Sequence, residues 1–188
     1  MRIITGAYKG HRLRTVSGPG YRPAMSRVRE AIFSILDARG MSWQGARVLD
    51  LFAGSGSLGF EALSRGAALA LFVESDKTAA DCLAQNALNL KCLDKVLIVR
   101  KDVLKYLRGY GEEQFQMIFI DPPYGNDLFL SSLNAVLDQN MLRSEGFLLA
   151  EVHKKQAFPK NFGWDQGLTL EINRCYGQTR ILLWQQTA

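Results

Sequence analysis

Two groups of residues have the types and spacing for chemistry. The first is Asp121-Pro122-Pro123-Tyr124, which follows Ile118-Phe119-Ile120 without a spacer. Three apolar residues, two of them β-branched, read as a buried strand. Neither proline can donate to a sheet ladder, and a residue before proline is kept extended. The strand therefore stops with Asp121 and the Pro122 carbonyl at its carboxyl end and Tyr124 beside them. Open α/β sheets place their ligand crevices at such ends. An isolated Asp-Pro-Pro is more often a plain strand terminator, so the rest of the chain decides its meaning.

The second group is Asp50-Leu51-Phe52-Ala53-Gly54-Ser55-Gly56-Ser57-Leu58-Gly59. Gly54, Gly56 and Gly59 fit G-x-G-x-x-G between a strand and a helix, and Glu74 ends the next strand. Glycines let the backbone approach a nucleoside-containing cofactor, and an acid at the second strand end accepts from ribose hydroxyls. A nicotinamide dinucleotide would use much the same loop. Asp50 tilts the choice, because a pyrophosphate would meet an unwelcome negative charge there. S-adenosylmethionine carries a sulfonium and an α-ammonium group, which suit a nearby carboxylate. Asp102, just past the third strand, is placed to accept from an adenine amine, although Asp at such a position also caps helices.

Strands and helices that would position these residues alternate from residue 47 onward. Apolar strands are expected at 48–52, 69–74, 96–99, 117–120 and 146–152. Helices are expected at 57–65, 77–90 and 128–137, with 103–108 helical or irregular. Continuous apolar strands separated by helices argue for a mostly parallel sheet covered on both faces. Residues 168–172 and 179–184, separated by Gly177-Gln178, read as a terminal antiparallel hairpin. Before all of these, residues 1–14 read as a short hairpin turning near Gly6 to Gly10, and 17–20 as a loop. A helix at 26–39 follows, with Ser26 as its N-cap and Val28, Ala31, Ile32, Ile35 and Leu36 as its apolar face.

With 188 residues and a 47% hydrophobic share, the chain suits one compact domain with a small appendage. No apolar run is long enough for a membrane span, and the start lacks the pattern of a secretory signal. Cys82, Cys92 and Cys175 form no C-x-x-C pair, as expected of reduced thiols in a cytoplasmic protein. His11 and His153 are too isolated to suggest a metal site. The formal net charge is +5, and its excess is confined to the start. Arg2, Lys9, Arg12, Arg14, Arg22, Arg27 and Arg29 face only Glu30 within residues 1–31. Such a patch is the footprint of a polyanion.

Taken in order, Asp50-x-Phe52-x-Gly54-x-Gly56, Glu74, Asp102 and Asp121-Pro122-Pro123-Tyr124 resemble the class I S-adenosylmethionine-dependent methyltransferases. The tetrad resembles the motif of the branch that methylates exocyclic amines of nucleobases. Arg2-Ile3-Ile4-Thr5-Gly6, Lys9-Gly10-His11-Arg12-Leu13, Arg22-Pro23, Arg27-Val28-Arg29-Glu30-Ala31-Ile32-Phe33 and Tyr176-Gly177-Gln178-Thr179-Arg180 narrow it further. Together they resemble the bacterial small-subunit ribosomal RNA guanine-N2 methyltransferase family. One departure stands at Ala24-Met25-Ser26, where the family carries a Thr or Ser followed by Asp.

The resemblance implies a Rossmann-like, seven-stranded α/β sheet with an antiparallel carboxyl-terminal hairpin. Residues 1–22 would be an RNA-binding β-hairpin extension and 23–188 the catalytic domain. Asp121, Pro122, Pro123 and Tyr124 would be catalytic. Asp50, Phe52, Gly54, Ser55, Gly56, Gly59, Glu74 and Asp102 would hold S-adenosylmethionine. Arg2, Lys9, Arg12, Arg14, Arg22, Arg27 and Arg29 would grip 16S ribosomal RNA in the small subunit, with the protein a cytoplasmic monomer needing no metal. A DNA adenine or cytosine amino-methyltransferase shares the tetrad, but little chain is spare for a target-recognition region. A nicotinamide oxidoreductase leaves the tetrad and the basic start unexplained. A non-catalytic RNA-binding module leaves the cofactor set unexplained.

Overall fold

A computed structural model describes residues 1–16, 26–109, 114–123, 128–159 and 162–187. The elements in chain order are α1 (Ser26–Ala38), β1 (Arg47–Leu51), α2 (Ser57–Arg65), β2 (Leu69–Glu74) and α3 (Lys77–Asn89). Then follow β3 (Val96–Arg100), α4 (Val103–Arg108), β4 (Phe115–Ile120), α5 (Leu128–Asp138), β5 (Leu142–His153), β6 (Leu168–Tyr176) and β7 (Thr179–Gln186).

The seven strands form one sheet in the order β3-β2-β1-β4-β5-β7-β6. β1 through β5 pair in parallel, while β7 pairs antiparallel with both β5 and β6. This is the mostly parallel sheet with an antiparallel terminal hairpin that the pattern predicts. The chain builds outward from β1 to β3 and then returns to the other side of β1. β1 and β4 therefore flank the switch point where doubly wound sheets leave a crevice. The glycine loop leaves β1 there, and Asp121 leaves β4 beside it.

Each face of the sheet carries its own core. Val28, Ile32, Phe33 and Leu36 of α1 pack with Leu58 and Phe60 of α2 and Leu83 of α3 over Val48, Phe72, Phe119 and Leu149. Val103 and Leu107 of α4 and Phe129, Leu133 and Val136 of α5 cover Leu49, Leu51, Ile118, Ile120 and Leu148 on the other face. The alternation along β4, with Phe119 on one face and Ile118 and Ile120 on the other, is the two-residue period of a strand. Among the described residues, no helix is long and apolar enough to cross a membrane.

Two strands differ from the sequence expectation. β5 begins at Leu142 rather than 146, because Leu142 pairs with Phe115 ahead of a register shift in β4. β6 runs on to Tyr176 past a second irregularity between Leu170 and Ile172. At the start, residues 1–14 form the expected short hairpin, with Arg2 opposite Arg12 and the arms joined by Leu13 N to Met1 O at 2.9 Å and Ile3 N to His11 O at 3.1 Å. Ile3 and Leu13 lie in the α1-side core, so this segment has no core apart from that of the sheet.

Candidate active site

Glu74 and Asp50 organise the glycine loop from beneath. Glu74 Oε2 accepts from Gly54 N at 2.8 Å, and its Oε1 accepts from Asp76 N at 2.8 Å. Each carboxylate oxygen keeps lone-pair capacity for a further donor such as a ribose hydroxyl. Asp50 Oδ2 accepts from Gly59 N at 3.0 Å, inside the first turn of α2. Asp50 is only 2% exposed. Burial pushes its carboxyl up to about 7, against the Gly59 hydrogen bond and with help from the charge of Glu74. Asp50 thus acts first as a brace, and its charge lies under the loop rather than open to solvent.

The loop's shape follows from its residues. Gly54 and Gly56 take positive φ of 54° and 77°. A Cβ at Gly59 would stand 2.3 Å from Phe72 Cε1, so only glycine lets α2 approach β2 this closely. Phe52 also takes a positive φ, 62°, which strains a bulky residue and turns the chain out of β1. The Phe52 ring packs against the α5-side core.

Asp102 caps α4, its Oδ1 accepting from Lys105 N at 2.9 Å. One of its oxygens is therefore committed to the helix. Ser55 turns toward the amino-terminal chain: its hydroxyl accepts from Val16 N at 3.1 Å, and its carbonyl accepts from Asn86 Nδ2 at 3.1 Å. Asn86 is fully buried on α3 and also bonds both backbone groups of Arg14. The end of the basic segment is thereby fastened to the glycine loop.

Asp121 continues the ladder beyond β4, donating its amide to Leu51 O at 3.5 Å. Pro122 is buried and Pro123 half-buried. Tyr124 and Arg22 lie outside the described residues. On the other side of β4, Ile120 pairs with Ala150 of β5, which brings Glu151 level with Asp121. Glu151 is 7% exposed, and among the described residues its Oε2 has no hydrogen-bond partner. Burial pushes this carboxyl up to about 7, opposed by a hydrogen bond with Thr179. Sequence reasoning missed Glu151, since nothing in Ala150-Glu151-Val152 marks it apart from a carboxylate closing an apolar strand.

The basic residues divide. Arg2, Lys9, Arg12, Arg14 and Arg27 are exposed, as an RNA-facing surface needs. Arg29 does not join them. It is 2% exposed and donates from Nη2 to Arg2 O at 2.6 Å. Positions 29, 32, 33 and 36 share one helical face, and that face packs inward. Burial lowers the Arg29 pKa, while Glu61 and Glu30 oppose that change.

The segment carrying the exposed cations is bound to α2 by groups that motif reading does not reveal. Fully buried Glu61 accepts from Ile4 N at 2.8 Å, Thr5 N at 3.0 Å and Arg65 Nε at 3.2 Å. Ser64 accepts from Tyr8 N through its hydroxyl at 2.9 Å and from Ala7 N through its carbonyl at 2.7 Å. Gly6 fits against this helix so closely that a Cβ would stand 1.8 Å from Ser64 O.

The arrangement sets Glu74, Asp102 and Asp121 at the carboxyl ends of β2, β3 and β4, beside a glycine loop that is joined to a cationic surface. Glycines free of side chains and acids with spare lone pairs fit a nucleoside bearing a cationic group. Residues 1–185 match the family model described as conserved hypothetical protein 95. The chain is 34% identical to ribosomal RNA small subunit methyltransferase D of Haemophilus influenzae, over 87% of this chain and 84% of that protein. It is 32% identical to the Escherichia coli protein of the same name, over 100% and 91%. The solved structure of Escherichia coli yhhF superposes with a TM-score of 0.84 at 31% identity, covering 100% of this chain and 98% of that one. Magnesium protoporphyrin IX methyltransferase from Synechocystis, solved with bound SAM, shares the fold at a TM-score of 0.66 and 15% identity, over 86% and 79%. The chain belongs to the conserved hypothetical protein 95 family, that of the small-subunit ribosomal RNA methyltransferases D, and has the class I methyltransferase fold.

Proposed function

We propose that this protein methylates the exocyclic N2 of a guanine in 16S ribosomal RNA, using S-adenosylmethionine, on the assembled small subunit. The observation that carries the reading is the bond of Asp121 to Leu51, which ends β1 where the glycine loop begins, at the β1–β4 switch point. The names of the relatives support ribosomal RNA as substrate. The choice of guanine N2 comes from the motif resemblance. The protein works as a cytoplasmic monomer, with residues 1–22 as an RNA-binding extension of a catalytic domain at 23–188.

S-adenosylmethionine supplies an electrophilic methyl on a sulfonium. Glu74 holds Gly54 in place and would receive the ribose hydroxyls, Asp50 braces Gly59 beneath the loop, and the second oxygen of Asp102 would receive the adenine amine. An exocyclic amine is a poor nucleophile because its lone pair is drawn into the ring. Asp121 and the Pro122 carbonyl accept from its two hydrogens, which turns the lone pair toward the methyl and favours pyramidalisation. Orientation and charge complementarity then supply most of the rate. Tyr124 stacks on the base, worth about 1–3 kcal/mol, and the base must be unstacked to reach it. Arg2, Lys9, Arg12, Arg14, Arg22 and Arg27 grip phosphates.

The test is Asp121→Ala and Tyr124→Ala, each assayed for folding, S-adenosylmethionine binding and methyl transfer. Both variants are expected to bind the cofactor and to lose transfer. Full transfer by either one removes the role assigned to that residue.

A further inference from the structure

Glu74, Asp121 and Glu151 occupy one level across the sheet. Phe72, Asp50, Phe119 and Leu149 are register partners in sequence across β2, β1, β4 and β5, and Phe72, Phe119 and Leu149 face the α1-side core. Two residues further along, on the same face by the strand period, come Glu74, Asp121 and Glu151. Adjacent strands lie about 4.8 Å apart, so Glu151 is the immediate neighbour of Asp121 on the side away from Glu74. Ala150 and Val152 belong to the opposite core, which fixes the face that Glu151 presents. Ile181, its partner across β7, lies in the α1-side core as well.

The Glu151 carboxyl is held by Thr179, yet among the described residues its Oε2 has no donor. A buried acceptor without a donor is costly, and the cost disappears when a donor arrives. What could arrive is set by the neighbour. The amine oriented by Asp121 sits on a base edge, and Glu151 is one strand spacing further along that edge. Guanine places a ring N1–H directly beside its N2 amine. Adenine places a bare ring nitrogen beside its amine, and cytosine does the same.

Resting on the reading of this site as a base-amine methyltransferase, we propose that Glu151 is a specificity-determining residue that accepts the N1–H of the target guanine. Asp121 and the Pro122 carbonyl hold the amine, and Glu151 reads the next atom on the Watson–Crick edge. Enzymes that flip a base read that edge by hydrogen bonding. A site built to pair a donor rejects an analogue that lacks it far more strongly than it rejects a change of shape.

The test uses 2-aminopurine, which keeps the exocyclic N2 amine but has no N1–H. Once the methylated guanine is located, small subunits are reconstituted with 16S RNA carrying guanine or 2-aminopurine at that position. Methyl transfer is then measured for the wild-type protein and Glu151→Gln. The wild type is expected to prefer guanine by about tenfold to a hundredfold in kcat/KM, the range of a lost charged hydrogen bond. In Glu151→Gln the carboxamide N–H can donate to the bare nitrogen, so the preference is expected to shrink to about threefold or less. Cofactor affinity should stay unchanged in that variant, which separates base reading from a structural role. Wild-type protein that uses both bases equally overturns the assignment without any variant, as does a Glu151→Gln protein that keeps the full preference. Wild-type protein that methylates no guanine in the RNA overturns the underlying reading, and the assignment with it.

Discussion

Glu74 Oε2 accepts the Gly54 amide at 2.8 Å, so the acid that ends β2 holds the loop that ends β1. One side chain shapes the loop and keeps lone-pair capacity for a further donor. Glu74→Ala is therefore expected to weaken S-adenosylmethionine binding by at least about tenfold, from lost hydrogen bonds and a loosened loop. Titration calorimetry checks this, with the melting temperature recorded beside it. Unchanged affinity would remove Glu74 from the cofactor site.

The contact of Gly6 with Ser64 leaves no room for a side chain, and the positive φ of 85° adds strain for any other residue. Gly6→Ala is expected to lift the basic segment from α2. RNA affinity should fall while S-adenosylmethionine affinity changes little. Filter binding over a salt series measures it, and equal loss of both affinities would contradict the separation.

Arg27 and Arg29 are two residues apart, yet only Arg27 is exposed. Arg27→Ala is expected to lower the salt slope of RNA binding by about one unit, as one lost phosphate contact does. Arg29→Ala should leave that slope unchanged and destabilise the fold, because Arg2 O loses its donor and Glu61 a neighbouring cation. A lowered slope with Arg29→Ala would return it to the RNA surface.

Asp50 and Glu151 both have carboxyls pushed up to about 7 by burial. The native state then keeps protons between about pH 4 and 7 that the unfolded chain has released. The contribution of these two groups to the stability of the ligand-free protein is expected to be full below this window and to be lost as pH rises to about 7. Urea midpoints from pH 5 to 8 measure the trend. Glu151→Gln should flatten it, and stability that rises through the window would contradict the account.

Much of the site was legible because its signals are local. Asp121-Pro122-Pro123 marks its own strand end, and the three glycines with Glu74 mark a strand–loop–helix and the next strand. What was not legible depends on partners far along the chain. Glu61 meets Ile4 and Thr5 across 57 and 56 residues, and Asn86 meets Arg14 across 72. No spacing rule connects such pairs. Arg29 leaves the expected RNA surface for a related reason: the width of an apolar helix face depends on what packs against it, and α2 brings Glu61 to that face. The level shared by Asp121 and Glu151 follows from strand order, which places β5 beside β4 with a fixed register. Asp102 shows a subtler limit, since one carboxylate can cap a helix and still keep an oxygen for a ligand.

Methyl transfer to a base amine in small-subunit RNA is tested most directly by offering methyl-labelled S-adenosylmethionine with free 16S RNA, assembled small subunits and duplex DNA, followed by nucleoside analysis. The expected result is labelled N2-methylguanosine in RNA from the assembled subunit. Label in DNA, label on another base, or no label in any RNA would contradict it.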